Sequence, residues 1–116
     1  MIIAATATKS FLLSIPAVQS ETATKEFWEL APEKTVKPFI TYNVIELKPA
    51  SKDRLGDYQI TINVWAKTLD AAANIAENIK LNAPANSFRY AGGRSGYVDQ
   101  DAKESFIQLN FNLKIK

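Results

Sequence analysis

A block of regular patterning between residues 37 and 83 constrains the fold of this chain more than any other feature. Residues 58–66 alternate apolar and polar side chains, which predicts a half-buried β-strand. Residues 38–47 form a second predicted strand, separated from the first by a charged loop that is too long for a tight hairpin. An alanine-rich helix over residues 68–82 follows, with Thr68 as its N-cap. This order predicts a sheet with a helix packed against it.

The two predicted strands differ in their apolar pattern. Residues 58–66 place one set of side chains on a core-facing side: Tyr58, Ile60, Ile62, Val64 and Ala66. The strand over residues 38–47 is apolar on both sides, with Phe39, Ile45 and Leu47 on one and Ile40, Tyr42 and Val44 on the other. Such a pattern is typical of a strand that is covered on both faces for part of its length.

The rest of the chain completes an α+β arrangement. The apolar residues Ile2, Ile3, Leu12, Leu13 and Ile15 predict one buried face of an N-terminal helix that Pro16 ends. The other predicted elements are a loop at 19–24, a short edge strand at 25–30, a short strand at 87–91, a glycine bulge or strand kink at 92–96 and a long final strand at 105–116. We therefore expect one domain over residues 1–116, an antiparallel sheet of four to five strands with an N-terminal helix and a second helix packed on it.

Composition excludes several kinds of chemistry. The chain has no cysteine and no histidine, so thiol catalysis, histidine acid–base catalysis and thiolate or imidazole metal sites are impossible. The glycines at 92–96 lack the lysine and the following helix of a phosphate loop. Asp99, Asp101 and Glu104 lack the spacing of a calcium loop. We expect no cofactor, no metal and no enzymatic activity.

Charge and hydropathy limit the expected partners. The net charge is +2 and basic residues are interspersed with acidic ones, which predicts no specific nucleic-acid recognition. No run approaches the ~18 apolar residues of a membrane span. The first nine residues resemble a signal peptide only faintly, because the basic segment before the apolar run is missing and Lys9 interrupts it. We therefore expect neither secretion nor a membrane.

Two places carry candidate contact residues. Lys52, Asp53 and Arg54 lie on the loop between the two strands, and they form either a solvated loop tip or a docking element that orders against another chain. Trp65 lies on the otherwise polar side of its strand. Its ring is either covered by a neighbouring helix or strand, or it belongs to a subunit interface, where tryptophan is enriched.

The order of these motifs resembles the tail-completion, or tail-terminator, family of long-tailed bacteriophages and gene-transfer particles. Three segments carry the resemblance: Pro38-Phe39-Ile40-Thr41-Tyr42, Val64-Trp65-Ala66, and the helix that Thr68 starts, with Ala71, Ala72, Ala73 and Ala76. The opening Phe11-Leu12-Leu13-Ser14-Ile15-Pro16-Ala17-Val18 is also similar to the family.

The resemblance implies an α+β fold and a structural role in virion assembly. It implies a homo-oligomeric ring, usually of six subunits, that caps the tail tube and joins it to the head. The implied partners are copies of the chain, the tail-tube protein and the head–tail connector proteins. The implied locations are the host bacterial cytoplasm during assembly and then the tail or neck of the virion. The alternatives are a head-closure or neck protein and a small regulatory, ligand-binding α+β module.

Overall fold

A five-stranded sheet in the order β1-β2-β3-β5-β4 is the frame of the molecule. The computed structural model describes residues 2–22, 25–28, 37–48, 55–99 and 104–115. Their elements are α1 (Ile2–Leu13), α2 (Pro16–Thr22), β1 (Glu26–Trp28), β2 (Phe39–Lys48), β3 (Gly56–Ala66), α3 (Leu69–Asn82), a 3₁₀ turn (Pro84–Asn86), β4 (Phe88–Asp99) and β5 (Glu104–Ile115).

The sheet is antiparallel except at one edge. β2 pairs with β3, β3 with β5 and β5 with β4 in antiparallel ladders. β1 pairs with β2 in parallel over only three residues, from Glu26 opposite Ile40 to Trp28 opposite Tyr42. The predicted α+β class and the edge position of β1 are confirmed, and the one parallel pair makes the sheet mixed.

The helices cover one face of the sheet, and the core lies between the two layers. The predicted alternation of β3 and β5 is confirmed, because Ile60, Ile62, Val64, Leu109, Phe111 and Leu113 are all buried. β3 alternates between buried and half-buried residues over its full length. The β3 side chains that point away from the helices are therefore the polar set and Trp65.

α3 forms as its sequence predicts. The Thr68 hydroxyl accepts a hydrogen bond from the Ala71 backbone N–H at 3.2 Å, which satisfies one of the free donors of the first turn. Asp70 lies in that turn, where the helix dipole favours an anion. Ala72, Ile75, Ala76 and Ile79 are the buried residues of this helix, and the alanines allow close approach to the sheet.

The buried face of α1 agrees with the predicted one only in part, since Leu12 and the following Ile15 are buried but Leu13 is 40% exposed. Ile2 is 73% exposed and Ile3 57% exposed, whereas the residues that contact the core are Ala4, Ala5, Thr8, Phe11 and Leu12. The small side chains of this stripe let the helix lie close to the sheet. The Thr8 hydroxyl donates to the Ala4 carbonyl at 2.8 Å, which allows a polar residue on the buried face. Local apolar spacing was therefore a poor guide to the orientation of this helix.

The predicted loop at residues 19–24 is wrong over all of its described part, residues 19–22, because α2 runs through Pro16–Thr22. Pro16 suits the first turn of a helix, where its missing N–H costs nothing. Val18 and Thr22 are buried. These polar residues, for which the sequence predicted a loop, are held in a helix by tertiary contacts.

β4 is longer than the predicted strand at residues 87–91, because it continues through the glycine cluster to Asp99. The predicted bulge is confirmed by a register shift between Tyr90 and Gly92, where Gly92 has a φ of +114°. A Cβ on Gly93 would lie 2.4 Å from the Gln108 backbone oxygen. Gly93 is therefore needed for the close approach of β4 to β5, whereas Gly92 is needed for its positive φ.

β2 is covered on both faces only near its start, where Thr41, on the side away from the helices, is also buried. Ile40, Tyr42 and Val44 are buried against the helices, as predicted for one side. On the other side Ile45 is 51% exposed and Leu47 is 53% exposed. No helix lies over this side among the described residues, so these two apolar side chains face solvent in the isolated subunit.

Candidate assembly interface

The face of the sheet opposite the helices, called here the open face, carries the candidate site. At one end of it the strand register puts Phe39 opposite Trp65 and Trp65 opposite Phe106. The ring centroids of Phe39 and Trp65 are 6.1 Å apart, and those of Trp65 and Phe106 are 5.4 Å apart. Phe27 on β1 extends this row, 6.5 Å from Phe39. We call these four residues the aromatic row.

Contacts with neighbouring residues on both sides hold the aromatic row in place on the sheet. Gly96 on β4 lies opposite Phe106, and a Cβ there would be 3.3 Å from the ring, so the glycine leaves room for Phe106. The Trp65 indole N–H donates to the Thr41 hydroxyl at 3.0 Å. The Arg94 guanidinium lies 5.3 Å from the centre of the Phe106 ring. With its N–H already bonded, Trp65 offers a partner only an apolar ring surface.

A band of polar side chains lies next to the aromatic row. The side-chain amide N–H of Gln108 donates to the side-chain oxygen of Asn63 at 3.2 Å. The Thr61 hydroxyl donates to the side-chain oxygen of Asn110 at 3.0 Å. Arg94 donates to Gln108 at 3.3 Å. These groups are paired with one another across strands rather than aimed at a shared point. Such cross-strand pairs stabilise a sheet.

The other end of the open face carries exposed apolar and charged side chains. A shallow depression of about 430 Å³ is lined by Leu47, Asp57, Ser87, Arg89, Asn112 and Lys114. Ser87 has a φ of 69°, which a non-glycine residue rarely adopts, at the turn that leads into β4. Basic side chains outnumber acidic ones in this lining, so it favours an acidic or carbonyl-rich partner surface.

A buried carboxylate that sequence reasoning missed lies at the β1 edge. Glu26 is only 1% exposed. Its Oε1 atom accepts hydrogen bonds from the Thr22 hydroxyl at 2.6 Å and from the Gln19 amide at 2.8 Å. These bonds explain why residues 16–22 are helical. Oε2 has no hydrogen-bond partner in the described part of the chain.

Tyr42 lies close to this carboxylate on the buried side of β2. Burial and, to a smaller extent, the negative charge of Glu26 raise the pKa of the Tyr42 hydroxyl above its ordinary value. A tyrosine with a raised pKa stays neutral at physiological pH and is a poor proton acceptor. Glu26 therefore ties α2 to β1 through its two hydrogen bonds.

Of the predicted site residues, Trp65 alone falls within the described part of the chain. Trp65 lies half-buried at the aromatic-row end of β3, between rings from two neighbouring strands, which agrees with the interpretation that neighbouring strands cover it. Lys52, Asp53 and Arg54 fall outside the described residues, between Lys48 and Gly56. The described part of β3 begins at Gly56, about 30 Å along the strand from Trp65. Contact of any of these residues with a partner stays a prediction.

Metal and membrane sites have little support in the described ranges. No group of three or more acidic side chains is placed to hold a metal ion among residues with described positions. No single described helix is long and apolar enough to cross a membrane. α1 and α2 reach the necessary length only as a pair with a 90° bend between them, which is weak support because buried core helices do the same.

The fold is a two-layer α+β domain whose sheet carries the aromatic row on the side away from the helices. The model of the family described as tail completion protein gp17 matches residues 9–81. This match covers more than half of the chain, so the protein belongs to the tail completion family. Its role is structural, in virion assembly, and the predicted family resemblance is confirmed.

Solved structures share the fold at low sequence identity. A chain from the virion of a native gene transfer agent particle has a TM-score of 0.73 and 10% identity, with 91% of this chain and 89% of that chain covered. A second solved chain, whose name states no function, has a TM-score of 0.50 and 12% identity, with 97% and 95% covered. At such identities these likenesses show the fold alone. No curated protein matches the chain significantly.

Proposed function

We propose that this protein is a tail terminator, whose subunits form a ring that caps the tail tube and joins it to the head. The family match over residues 9–81 carries the proposal. The fold shared with a chain of a gene transfer agent virion supports it. The resemblance implies a ring that is usually of six subunits, and we propose that number here.

The mechanism is physical. A ring that covers the end of the tail tube occupies the surface to which the next tube subunit would add, and it presents a new surface to the head–tail connector proteins. The ends of the strands and the open face of the sheet are suited to such contacts. Among the described residues none are arranged for catalysis. We propose that residues 1–116 form one domain, which has no enzymatic activity and binds no cofactor or metal. We also propose that the protein is present in the host bacterial cytoplasm before it is incorporated into the virion.

The aromatic row is the surface that we propose for contact with another assembly component. Phe39, Trp65 and Phe106 present ring faces on a side of the sheet that the helices leave open. Large aromatic groups held rigidly lose little entropy on binding, which makes them efficient anchors of an interface. We propose that the loop with Lys52, Asp53 and Arg54 makes a second, electrostatic contact that sets orientation more than affinity.

Deletion and reconstitution in the particle that encodes the chain test this function. Without the gene, we expect unjoined heads and tails of irregular length, and purified protein added to the extract should restore joined particles. Rings on tube ends should be visible by electron microscopy. Joined particles of normal length in the deletion strain would rule out the function. Tails of normal length beside heads that leak DNA would instead identify a head-closure protein.

A further inference from the structure

An apolar groove lies between α1 and the β1 edge, on the helix side of the sheet. It has a volume of about 230 Å³, and its α1 wall includes Ile2, Lys9 and Leu13. Trp28 of β1 and Tyr42 of β2 line the other wall. Ile2, Leu13 and Trp28 are all exposed, so no described part of the chain covers them. Exposed apolar side chains that cluster in this way mark a contact with another protein surface.

α3 carries a surface of complementary shape. α1 packs mainly on β1 and β2, whereas α3 packs on β5, β3 and β4, so the two helices lie towards opposite edges of the sheet. Leu81, near the end of α3, is 76% exposed. Glu77 lies one helical turn before Leu81, and its side chain is 66% exposed. The exposed face of α3 therefore presents a projecting apolar side chain with an anion beside it.

The two surfaces have the same spacing. Lys9 and Leu13 are four residues apart on α1, and Glu77 and Leu81 are four residues apart on α3. A parallel alignment of the two helices places Lys9 opposite Glu77 and Leu13 opposite Leu81. An antiparallel alignment that keeps the two leucines together would move the two charges apart. The side chains therefore favour the parallel alignment.

The charges favour contact between α1 and α3 over contact between two identical surfaces. Lys9 is the only charged residue of α1, so a second copy of α1 offers it no anion. The Glu77 carboxylate lies 3.5 Å from the Lys80 ammonium, but such an exposed pair contributes little energy. Lys80 also lies 4.8 Å from the centre of the Tyr90 ring, and it keeps this contact when Glu77 turns to another cation.

We infer that the exposed face of α3 in one copy docks into the groove beside α1 of the next copy. Leu81 fills the groove between Leu13 and Trp28, and Glu77 pairs with Lys9. Each copy uses each surface once, so the contact is heterologous and can repeat around an axis. The inference rests on the proposed ring and names a contact that closes it.

Reversal of the two charges tests the contact. Lys9→Glu alone and Glu77→Lys alone each place like charges opposite each other, and we expect the fraction of protein in rings to fall by about tenfold. The double variant restores opposite charges at every contact and should recover most of the parent ring fraction. Lys67→Glu, on the exposed segment before α3 and ten residues before Glu77, is the matched control and should form rings normally. Light scattering after size-exclusion chromatography measures the ring fraction.

Cross-linking of single-cysteine variants gives an independent test. The chain has no cysteine, so each introduced thiol is the only one. Thr6→Cys on α1 and Asn74→Cys on α3 are exposed positions three residues before Lys9 and Glu77. Rings formed from a mixture of the two variants should give a covalent dimer with a bismaleimide, and either variant alone should give little. Lys114→Cys on the open face is the control, and it should not cross-link to Thr6→Cys.

Four results would overturn the inference. Normal rings from both single charge variants would show that the subunits join elsewhere. Impaired rings that the double variant does not recover would show that the two charges do not face each other. A dimer from Thr6→Cys alone would show contact between two copies of α1. Normal rings that no longer attach to tail tubes would show that the groove holds the tail-tube protein instead. In all four cases the ring would stand, whereas absence of rings in the parent protein would count against the proposed function itself.

Discussion

On β3 the side chains of Ile60, Ile62 and Val64 lie under the helices with no exposed surface, whereas Thr61, Asn63 and Trp65 between them stay half-exposed on the open face. One strand thus contributes to two surfaces with different physical tasks. The buried face obtains its stability from removal of apolar area from water. The open face is held by cross-strand hydrogen bonds and ring contacts, which contribute less energy but keep the surface rigid.

The comparison teaches that stability and assembly can be changed separately. A substitution under the helices should unfold the subunit and abolish assembly only as a consequence. A substitution on the open face should leave a folded subunit that assembles poorly. Variants chosen from opposite sides of the same strands therefore test whether stability and assembly depend on different faces of the sheet.

The largest expected effect is on the buried face. Phe111→Ala removes a ring with no exposed surface that packs against Phe88 and Tyr90. We expect a loss of about 3–5 kcal/mol in the free energy of unfolding, measured by urea denaturation. Asn110→Ala, the adjacent residue on the open face, is the control and should cost about 1 kcal/mol. Equal losses in the two variants would contradict the division between the faces.

Gly93→Ala tests the close contact between β4 and β5. Because the new Cβ would lie 2.4 Å from a backbone oxygen, the strands must shift apart. We expect a loss of roughly 1–3 kcal/mol in the free energy of unfolding. Gly96→Ala is the matched control, since its Cβ would meet the edge of the Phe106 ring at 3.3 Å and the ring can move. If Gly96→Ala is the more destabilised of the two, the explanation of the glycine cluster is wrong.

Trp65→Ala should distinguish most clearly between an effect on stability and an effect on assembly. The ring contacts with Phe39 and Phe106 are lost, with an expected cost of about 1–2 kcal/mol in the free energy of unfolding. Ring formation, followed by light scattering and electron microscopy, should fall much more than this loss of stability explains. Trp65→Phe keeps an aromatic ring without the indole N–H and should retain most assembly. Full assembly by Trp65→Ala would remove the aromatic row from the proposed interface.

The smallest expected effect on stability is at the loop between β2 and β3. Replacement of Lys52, Asp53 and Arg54 together by Gly-Ser-Gly should change the free energy of unfolding by less than about 0.5 kcal/mol. Assembly onto tubes should slow, because the charges are proposed to orient the encounter. A parent-like assembly rate at low salt would leave this loop as a solvated tip.

Much of the fold was predictable because its signals are local. Alternation in residues 58–66 depends only on the two-residue repeat of a strand, and it placed Ile60, Ile62 and Val64 in the core correctly. Thr68 capped α3 as expected, since the capping bond joins residues three apart. The bulge at the glycine cluster also follows from local backbone freedom.

The candidate site was less predictable. Trp65 was identified as an exception on a polar side, but Phe39 and Phe106 were not predicted as its neighbours. These residues are more than 20 positions away along the chain, and only the strand register brings them into one row. The buried Glu26 was missed for the same reason, because its burial depends on α2, which was predicted as a loop.

The sequence by itself therefore determined the α+β class, the core-facing sides of β3 and β5, the capped helix α3 and the family. These depend on interactions between residues a few positions apart, or on the pattern of the whole chain. Only the tertiary structure decided that residues 16–22 are helical, that α1 buries Ala4 and Thr8 rather than Ile2 and Ile3, and that β4 extends to Asp99. In each of these cases weak local preferences were overruled by contacts with distant residues, since burial and strand pairing contribute more free energy than the local propensities they oppose.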